Sequence, residues 1–391
     1  MSDAIVLGAG PAGLAAALSL ASRGAEVTLI DGAQHVGGLC TTRRREGLAY
    51  DIGGHMLFVR DDARRMWLEA LIGDDLVWIN RPAACVLNGR VTPGRYLDQA
   101  SASPVSATSL RDGGQYLEAS LGAAARDAFV RGYLEKVDGM ALESISTGRV
   151  EKLLVGQSAP DGFWYPRHGI GQLMDAMAAA FVAAGGTLRL GEPANQIAAD
   201  VMGVEVSVGA ETLRASRLIC AIPGAQGASL AKGAVDRPYQ PAMRAVAIIY
   251  LLVDRDPLID EVWIQVDDPD VPFARVAIVN NWSPALVPSG FTLLACEVYC
   301  RASPDDRWWP MSDEALAGVC MAALVGPLAL VAGTPRCVEV VRLPRAYPSI
   351  AVEDVPRVMA VSQWLGAQPN VTLAQGGAVV EAIDAGEAAA S

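Results

Sequence analysis

The chain has 391 residues, 52% hydrophobic and 19% charged, with a formal net charge of −12. That length exceeds what one core usually supports, so about two domains are expected. The acidic balance excludes nucleic acid and anionic membrane surfaces as partners, because both are bound mainly through an excess of Lys and Arg. Seven scattered cysteines, mostly among apolar neighbours, suit buried thiols in a reducing, cytoplasmic setting. With three histidines and no C-x-x-C pair, no metal site is expected. Residues 315–335 carry no charge, but Gly326-Pro327 interrupts them and Ser312-Asp313-Glu314 starts a helix, so they read as a buried helix, a turn and a short strand within a soluble protein.

The first 55 residues carry the strongest pattern. The apolar strand Ala4–Leu7 runs into Gly8-Ala9-Gly10-Pro11-Ala12-Gly13 and then a helix of small residues from Leu14 to Ser22. Strand, glycine turn and helix in this order make a dinucleotide cradle. Gly8 allows the tight turn, Gly10 lets backbone approach a pyrophosphate, and Gly13 lets helix and strand pack closely, while the helix N-terminus supplies free N–H groups and positive dipole. Pro11 suits the first helical turn. A second strand, Glu26–Ile30, ends at Asp31, roughly 20 residues past the glycines, where an acid accepts hydrogen bonds from a ribose.

The glycine pairs beyond Asp31 narrow the choice of nucleotide. Val36-Gly37-Gly38-Leu39-Cys40-Thr41-Thr42 and Tyr50-Asp51-Ile52-Gly53-Gly54-His55 together resemble the signature of the FAD-dependent amine oxidase superfamily. Gly53-Gly54-His55-Met56-Leu57-Phe58 is similar to the branch of protoporphyrinogen-oxidase-like proteins and UDP-galactopyranose mutases, where the equivalent loop passes beside the flavin ring. The resemblance implies FAD, held non-covalently by Gly8, Gly10, Pro11, Ala12, Gly13, Asp31, Gly37, Gly38, Leu39, Gly53, Gly54 and His55.

Farther along, Asp61–Leu71 reads as an amphipathic helix, and Trp78–Val91 as two paired strands around the turn Asn88-Gly89. Residues 99–115 read as a loop, followed by helices over Tyr116–Leu121 and Ala123–Val137, with another starting at Ile145-Ser146. Phe163-Trp164-Tyr165-Pro166-Arg167-His168-Gly169-Ile170-Gly171 resembles the superfamily's Tyr-Pro turn into a helix, here Leu173–Ala183. The family counterpart of Pro193-Ala194-Asn195 meets the adenine end of FAD through backbone groups. Alternating stretches between Tyr239 and Tyr347 predict a largely antiparallel sheet, which in the family roofs the substrate pocket. The strand Pro369–Leu373 and the turn Gly376-Gly377 before a last helix are similar to the superfamily's closing motif at the FAD phosphates. Ala374-Gln375 replaces the branch's Gly-Arg pair there, and the aromatic segment that usually comes next is missing.

The expected architecture is α/β: a Rossmann-type FAD-binding domain in three parts (1–75, 171–236 and 351–391), with a mixed α+β substrate domain inserted in two excursions (76–170 and 237–350). The expected activity is FAD-dependent transfer of hydride between a small polar substrate, such as a sugar, amino sugar or amine, and flavin N5. Candidate catalytic residues are His55, whose family match lies near the flavin, Arg167 in the Tyr-Pro turn, Arg275 in the roof, and Tyr347 where the chain returns. For Arg275 an ordinary structural ion pair is the competing reading. Two other functions stay open. One is a redox-neutral sugar-nucleotide mutase, against which Phe58 stands where mutases carry a second histidine. The other is a non-catalytic binder of the GDP-dissociation-inhibitor type, which shares the superfamily fold. No G-x-S-x-G or Walker pattern supports hydrolysis or phosphoryl transfer.

Overall fold

Ala4–Leu7 are all apolar and buried, a pattern that belongs between two other strands with both faces covered. In the computed structural model, which describes residues 2–99, 103, 110–155, 161–232 and 239–391, Ser2–Leu7 lies parallel to Val27–Asp31 on one side and to Glu211–Cys220 on the other. Thr187–Leu190 extends this sheet beyond Val27–Asp31, and Val371–Leu373 pairs with the end of Glu211–Cys220, all in parallel. The hairpin Ala194–Asp200 and Gly203–Val208 continues antiparallel from the other end of Glu211–Cys220.

Alternation along the central strand sends Ala4 and Val6 to one face and Ile5 and Leu7 to the other. Helices Pro11–Ala21, Ile170–Ala183 and Val379–Ala390 close over the first face, and Ala228 and Leu365 help to close the second. The helix Val379–Ala390 lies so close to Pro11–Ala21 that a Cβ on Gly386 would sit 2.1 Å from the Ala12 carbonyl oxygen. Arg64, nearly buried, ties the helix Asp62–Ile72 to the same element through Asp384 and Glu387, at 2.7 and 2.5 Å.

The second sheet runs in the order Arg336–Ser349, Ala242–Val253, Thr292–Cys300, Arg275–Ile278, Trp263–Gln265, Ala83–Leu87, Arg90–Pro93. The roof is antiparallel as expected, except where Trp263–Gln265 meets Ala83–Leu87 in parallel. Asn88 and Gly89 both take positive φ (51° and 71°), so the Asn-Gly turn closes Ala83–Leu87 onto Arg90–Pro93. Leu76–Asn80 does not join that hairpin. It pairs with Gly162–Pro166, so the Tyr-Pro segment is first a strand and only then a turn. Ser312 caps the helix Asp313–Val325 as expected, but residues 326–335 form turns rather than a short strand, and the next strand begins at Arg336. Most of the loop assigned to 99–115, and the boundary at 236, lie outside the described residues. Among the described residues, no helix is long and apolar enough to cross a membrane.

A helical layer is pinned to the roof by two cations. Lys136, in the helix Arg131–Asp138, donates to the carbonyls of Asp268 (2.8 Å), Phe273 (2.8 Å) and Val266 (3.3 Å). Burial pulls its ammonium down to about 8, against the opposing charges of Asp268 and Asp267. Arg244 reaches the helix's far end, donating to the carbonyls of Val137 (3.1 Å) and Lys136 (3.2 Å) and lying flat on Gly139, whose φ is +70°. A cation there satisfies both the orphaned carbonyls and the negative end of the helix dipole. Substituting Lys136→Met keeps the stem but strips three carbonyls of their donor. The expected loss is about 3 kcal/mol, seen as a lower midpoint in denaturant unfolding with an unchanged slope.

Candidate active site

The glycines of the first turn divide by what surrounds them. A Cβ on Gly13 would stand 1.7 Å from the Gly8 carbonyl oxygen, so this glycine is needed for the turn itself. Gly8, at φ +104°, faces Ile222 and the Ala221 carbonyl at the end of the neighbouring strand. A Cβ built on Gly10 would meet no described residue's atom within 4 Å, and Gly38 lies beside it, its own Cβ position 3.7 Å from Gly10 Cα. Gly37 belongs to the same loop, since its N–H donates to the Ala9 carbonyl at 2.7 Å, and Leu39 beyond it is 43% exposed. Asp31 accepts from Ala9 N–H (2.7 Å) and Ala33 N–H (2.8 Å), which holds its carboxylate at the lip of the turn. Ala194 reaches this lip too: Gly32 packs on Pro193, and Glu192 N–H donates to the Asp31 carbonyl at 3.0 Å. Gly376 and Gly377 arrive from the other side, after Ala374 N–H has donated to the Cys220 carbonyl at 3.0 Å.

The loop 51–55 is held from both ends of one residue that was not singled out from sequence. Half-buried Asp51 accepts from Tyr165 Oη (2.5 Å), Thr42 Oγ1 (2.6 Å) and Ile170 N–H (3.0 Å), while its carbonyl accepts from Tyr250 Oη (2.6 Å). Burial pushes its carboxyl up to about 6, although those hydrogen bonds and the charge of Arg44 resist the shift. The loop is thereby clamped to both the helix Ile170–Ala183 and the roof. Gly54 then meets the roof directly: its Cβ position is 3.0 Å from Trp282 and 3.8 Å from Arg275 Nη2.

Arg275 and Glu297 face each other across the antiparallel register of Arg275–Ile278 and Thr292–Cys300. Arg275 Nη2 donates to Glu297 Oε2 (2.6 Å) and Oε1 (2.8 Å), and the Glu297 side chain is only 3% exposed. Burial pulls the guanidinium down, but Glu297 more than offsets it and holds the group well above its ordinary value. Tyr299 Oη also donates to Glu297 Oε2, at 2.9 Å, and Tyr347 stacks on Tyr299 with ring centroids 6.1 Å apart. The charge of Arg275 also reaches Tyr133 of the helical layer. The result is a donor-rich, charge-balanced face opposite the glycine loop.

His55 sits where the two halves meet. Burial, and then the positive charge of Arg275, pull its imidazole down to about 4, with the Gly53 backbone opposing. Its Nδ1 is buried and has no hydrogen-bond partner among the described residues. A buried polar atom left unmatched next to a binding cradle points to a ligand group as its partner. The neutral imidazole has a stability consequence whose sign comes from linkage. Between 6.5 and about 4 the unfolded chain binds a proton that the folded chain refuses, so this contribution is full above 6.5 and is lost as pH falls through the window. Asp51 acts oppositely, contributing most below 3.8 and losing that contribution as pH rises through about 6. The wild-type curve is therefore partly flattened. The difference in unfolding free energy between flavin-free wild type and His55→Gln isolates the histidine, and it is expected to shrink by about 3 kcal/mol from pH 7 to pH 4.

Of the four catalytic candidates, the structure brings three together: the charge of Arg275 acts on His55 across the interface, and Tyr347 joins through Tyr299. The fourth is engaged elsewhere. Arg167 donates to Asp75 Oδ1 (3.1 Å) and the Asp74 carbonyl (3.3 Å), with its side chain 43% exposed.

The glycine cradle, the open approach to Gly10, the poised Asp31 and the unmatched His55 nitrogen fit FAD: Gly10 at the helix N-terminus would take its pyrophosphate, Asp31 its ribose, and His55 would lie toward its ring end. Residues 106–364 match the model of the family described as flavin containing amine oxidoreductase, and residues 6–70 match an NAD(P)-binding Rossmann-like domain. The structure is similar to that of a reduced UDP-galactopyranose mutase (TM-score 0.78, 18% identity, covering 100% of this chain and 95% of that one). It is also similar to a protein from Exiguobacterium sp. 255-15 named a protoporphyrinogen oxidase (TM-score 0.76, 19% identity, 99% and 97% covered). A phytoene desaturase (neurosporene-forming) of Rhodobacter capsulatus is 36% identical over 69 residues, which are 18% of this chain and 13% of the desaturase.

Proposed function

Given that the chain belongs to the flavin-containing amine oxidoreductase family, we propose that it is an FAD-dependent oxidoreductase acting on a small polar substrate whose reacting C–H adjoins a hydroxyl or amine. The observation that carries this reading is the apposition of the Gly53-Gly54-His55 loop to the Arg275–Glu297 pair with its tyrosines. Bound FAD supplies a hydride acceptor. The protein's part is to hold, orient and exclude water. Arg275 and the hydroxyls of Tyr299 and Tyr347 offer hydrogen bonds to substrate heteroatoms, and neutral His55 offers one N–H donor and one nitrogen acceptor on the flavin side. Trp282, packed at a tilt against Phe163 and edge-to-face against Tyr165, gives the face its apolar floor.

The redox-neutral mutase reading is weaker on this geometry, because a sugar nucleotide brings a diphosphate and Glu297 already neutralises Arg275. The deciding measurement is the visible spectrum of the anaerobic protein with sugars, amino sugars, amines and sugar nucleotides added in turn. Bleaching of the flavin band by one of these classes is expected. A flavin that none of them reduces, together with turnover of a sugar nucleotide only after dithionite reduction, would replace this proposal with the mutase. Failure to take up FAD at all would leave a binding protein instead.

A further inference from the structure

The chain carries a net charge of −12, yet Arg43, Arg44 and Arg45 stand consecutively on one exposed strand, Thr42–Arg45, paired with Leu48–Asp51. A cavity of ≈ 360 Å³ lies between this hairpin and His35 and Glu339, and another of ≈ 310 Å³ between it and Ala285; Arg44 and Arg45 line both. The acids nearby are too few to neutralise them. Arg43 is held by Glu339, and Glu46 is shared between Arg45 (3.6 Å) and Arg336 (2.9 Å). Arg44 has no carboxylate partner among the described residues and donates only to the His168 carbonyl, at 3.1 Å.

The first cavity runs inward to Thr41 and Ile52. Thr41 Oγ1 donates to the Gly38 carbonyl (2.9 Å), Ile52 N–H donates to the Thr41 carbonyl (3.0 Å), and Gly53 directly follows Ile52. The basic surface therefore borders both of the glycine loops assigned to the flavin.

We propose that this hairpin is the docking surface for a small acidic protein carrying a one-electron redox centre, which collects electrons from the reduced flavin. The proposal rests on the oxidoreductase reading, because a flavin reduced by substrate needs an acceptor. Two carrier molecules act in succession, each gaining one electron; together they return the reduced cofactor to FAD, and one proton passes to solvent. Charge selects the partner: an acidic protein is repelled by the chain's net charge and attracted at this hairpin, which sets both its orientation and its rate of encounter. Exposure selects a protein over a small anion. The Arg43 and Arg45 side chains are 44% and 53% exposed, whereas a small ligand is mostly enclosed by its site. Redox encounters between proteins form the small, weak class of interface, which a hairpin of this size can supply.

Rubredoxin, a small acidic iron protein, is the probe. Its binding to the full-length protein loaded with FAD is measured by titration calorimetry. Its reduction by the anaerobically photoreduced protein is followed in stopped flow, with uncharged benzoquinone as a second acceptor. Wild type is expected to bind and reduce rubredoxin, both weakening about tenfold or more as salt rises from about 10 to 150 mM. Arg44→Glu combined with Arg45→Glu is expected to weaken both by about tenfold or more at low salt, while benzoquinone oxidises its flavin at the wild-type rate. No binding, salt-independent binding, or binding and reduction that the double variant leaves unchanged would overturn the assignment. Each of these outcomes leaves the proposed function standing, whereas failure to take up FAD would remove both. Should the double variant be slow with benzoquinone too, its flavin site is damaged and the salt dependence of wild type decides.

Discussion

Gly10→Val is expected to leave the flavin-free protein about as stable as wild type while weakening FAD binding by about 100-fold or more, whereas Gly13→Ala, a smaller change three residues away, is expected to destabilise the domain strongly. The contrast rests on what each new atom would meet. At Gly13 a Cβ would lie 1.7 Å from the Gly8 carbonyl oxygen, a backbone atom that cannot rotate aside, so helix and strand must separate. Forced repacking at such a contact costs several kcal/mol, here about 4 or more, which corresponds to a drop of order 10 °C in the unfolding midpoint. At Gly10 a Cβ would point into space free of described atoms within 4 Å, so a side chain there is expected to cost the fold little. Its carbons occupy the space through which a pyrophosphate would approach the helix N-terminus, and about 3 kcal/mol of lost contact gives the hundredfold figure. Thermal unfolding of both variants without flavin, then titration with FAD, reads the two effects separately. A Gly10→Val variant that keeps wild-type affinity would move the pyrophosphate elsewhere.

The second large effect is at the buried ion pair. Glu297→Ala leaves the Arg275 guanidinium under the roof without its partner, and an uncompensated buried charge typically costs about 3–5 kcal/mol. The double variant Arg275→Met with Glu297→Leu removes both charges and replaces them with apolar volume. It is expected to recover most of that stability, because the pair's mutual attraction chiefly offsets its own desolvation. Flavin reduction by substrate is not expected to recover. If Arg275 and the Glu297-bound Tyr299 orient the substrate, the rate in the stable double variant falls by about 100-fold or more. A double variant that is both stable and fully active would make the pair a structural device and nothing else.

The reasons some of the site was legible from sequence and some was not are geometric. The cradle could be read because its parts are consecutive: strand, glycines, helix and acid fall within 31 residues, and each glycine has its own local reason. The Arg275–Glu297 pair could not, since the two are 22 residues apart and become partners only through the strand register. Tyr299 and Tyr347 are more distant still. They meet because the strand Ala242–Val253 lies between theirs, with Val246 opposite Tyr299 and Arg244 opposite Tyr347. Arg167 looked available for chemistry because its neighbours resemble a family turn. Its commitment to Asp75 depends on the pairing of Leu76–Asn80 with Gly162–Pro166, which local pattern does not reveal. Asp51 was hidden for a related reason: its value lies in the Tyr165, Thr42, Ile170 and Tyr250 donors that converge on it from separate elements.

The close seating of Gly386 on Ala12 has a bearing on how the protein is made. The helix Pro11–Ala21 is made before the segments that pack on it, and part of the surface that covers it is encoded some 370 residues later, in Val379–Ala390. Its other sheet neighbours are also late, since Glu211–Cys220 and Val371–Leu373 complete the parallel layer. At synthesis rates of about 5–20 residues per second, the nascent cradle waits roughly 20–70 seconds with an alanine- and leucine-rich face uncovered. The nucleotide half can therefore complete its packing only after Val379–Ala390 has been made, and until then that helix face stays uncovered on one side.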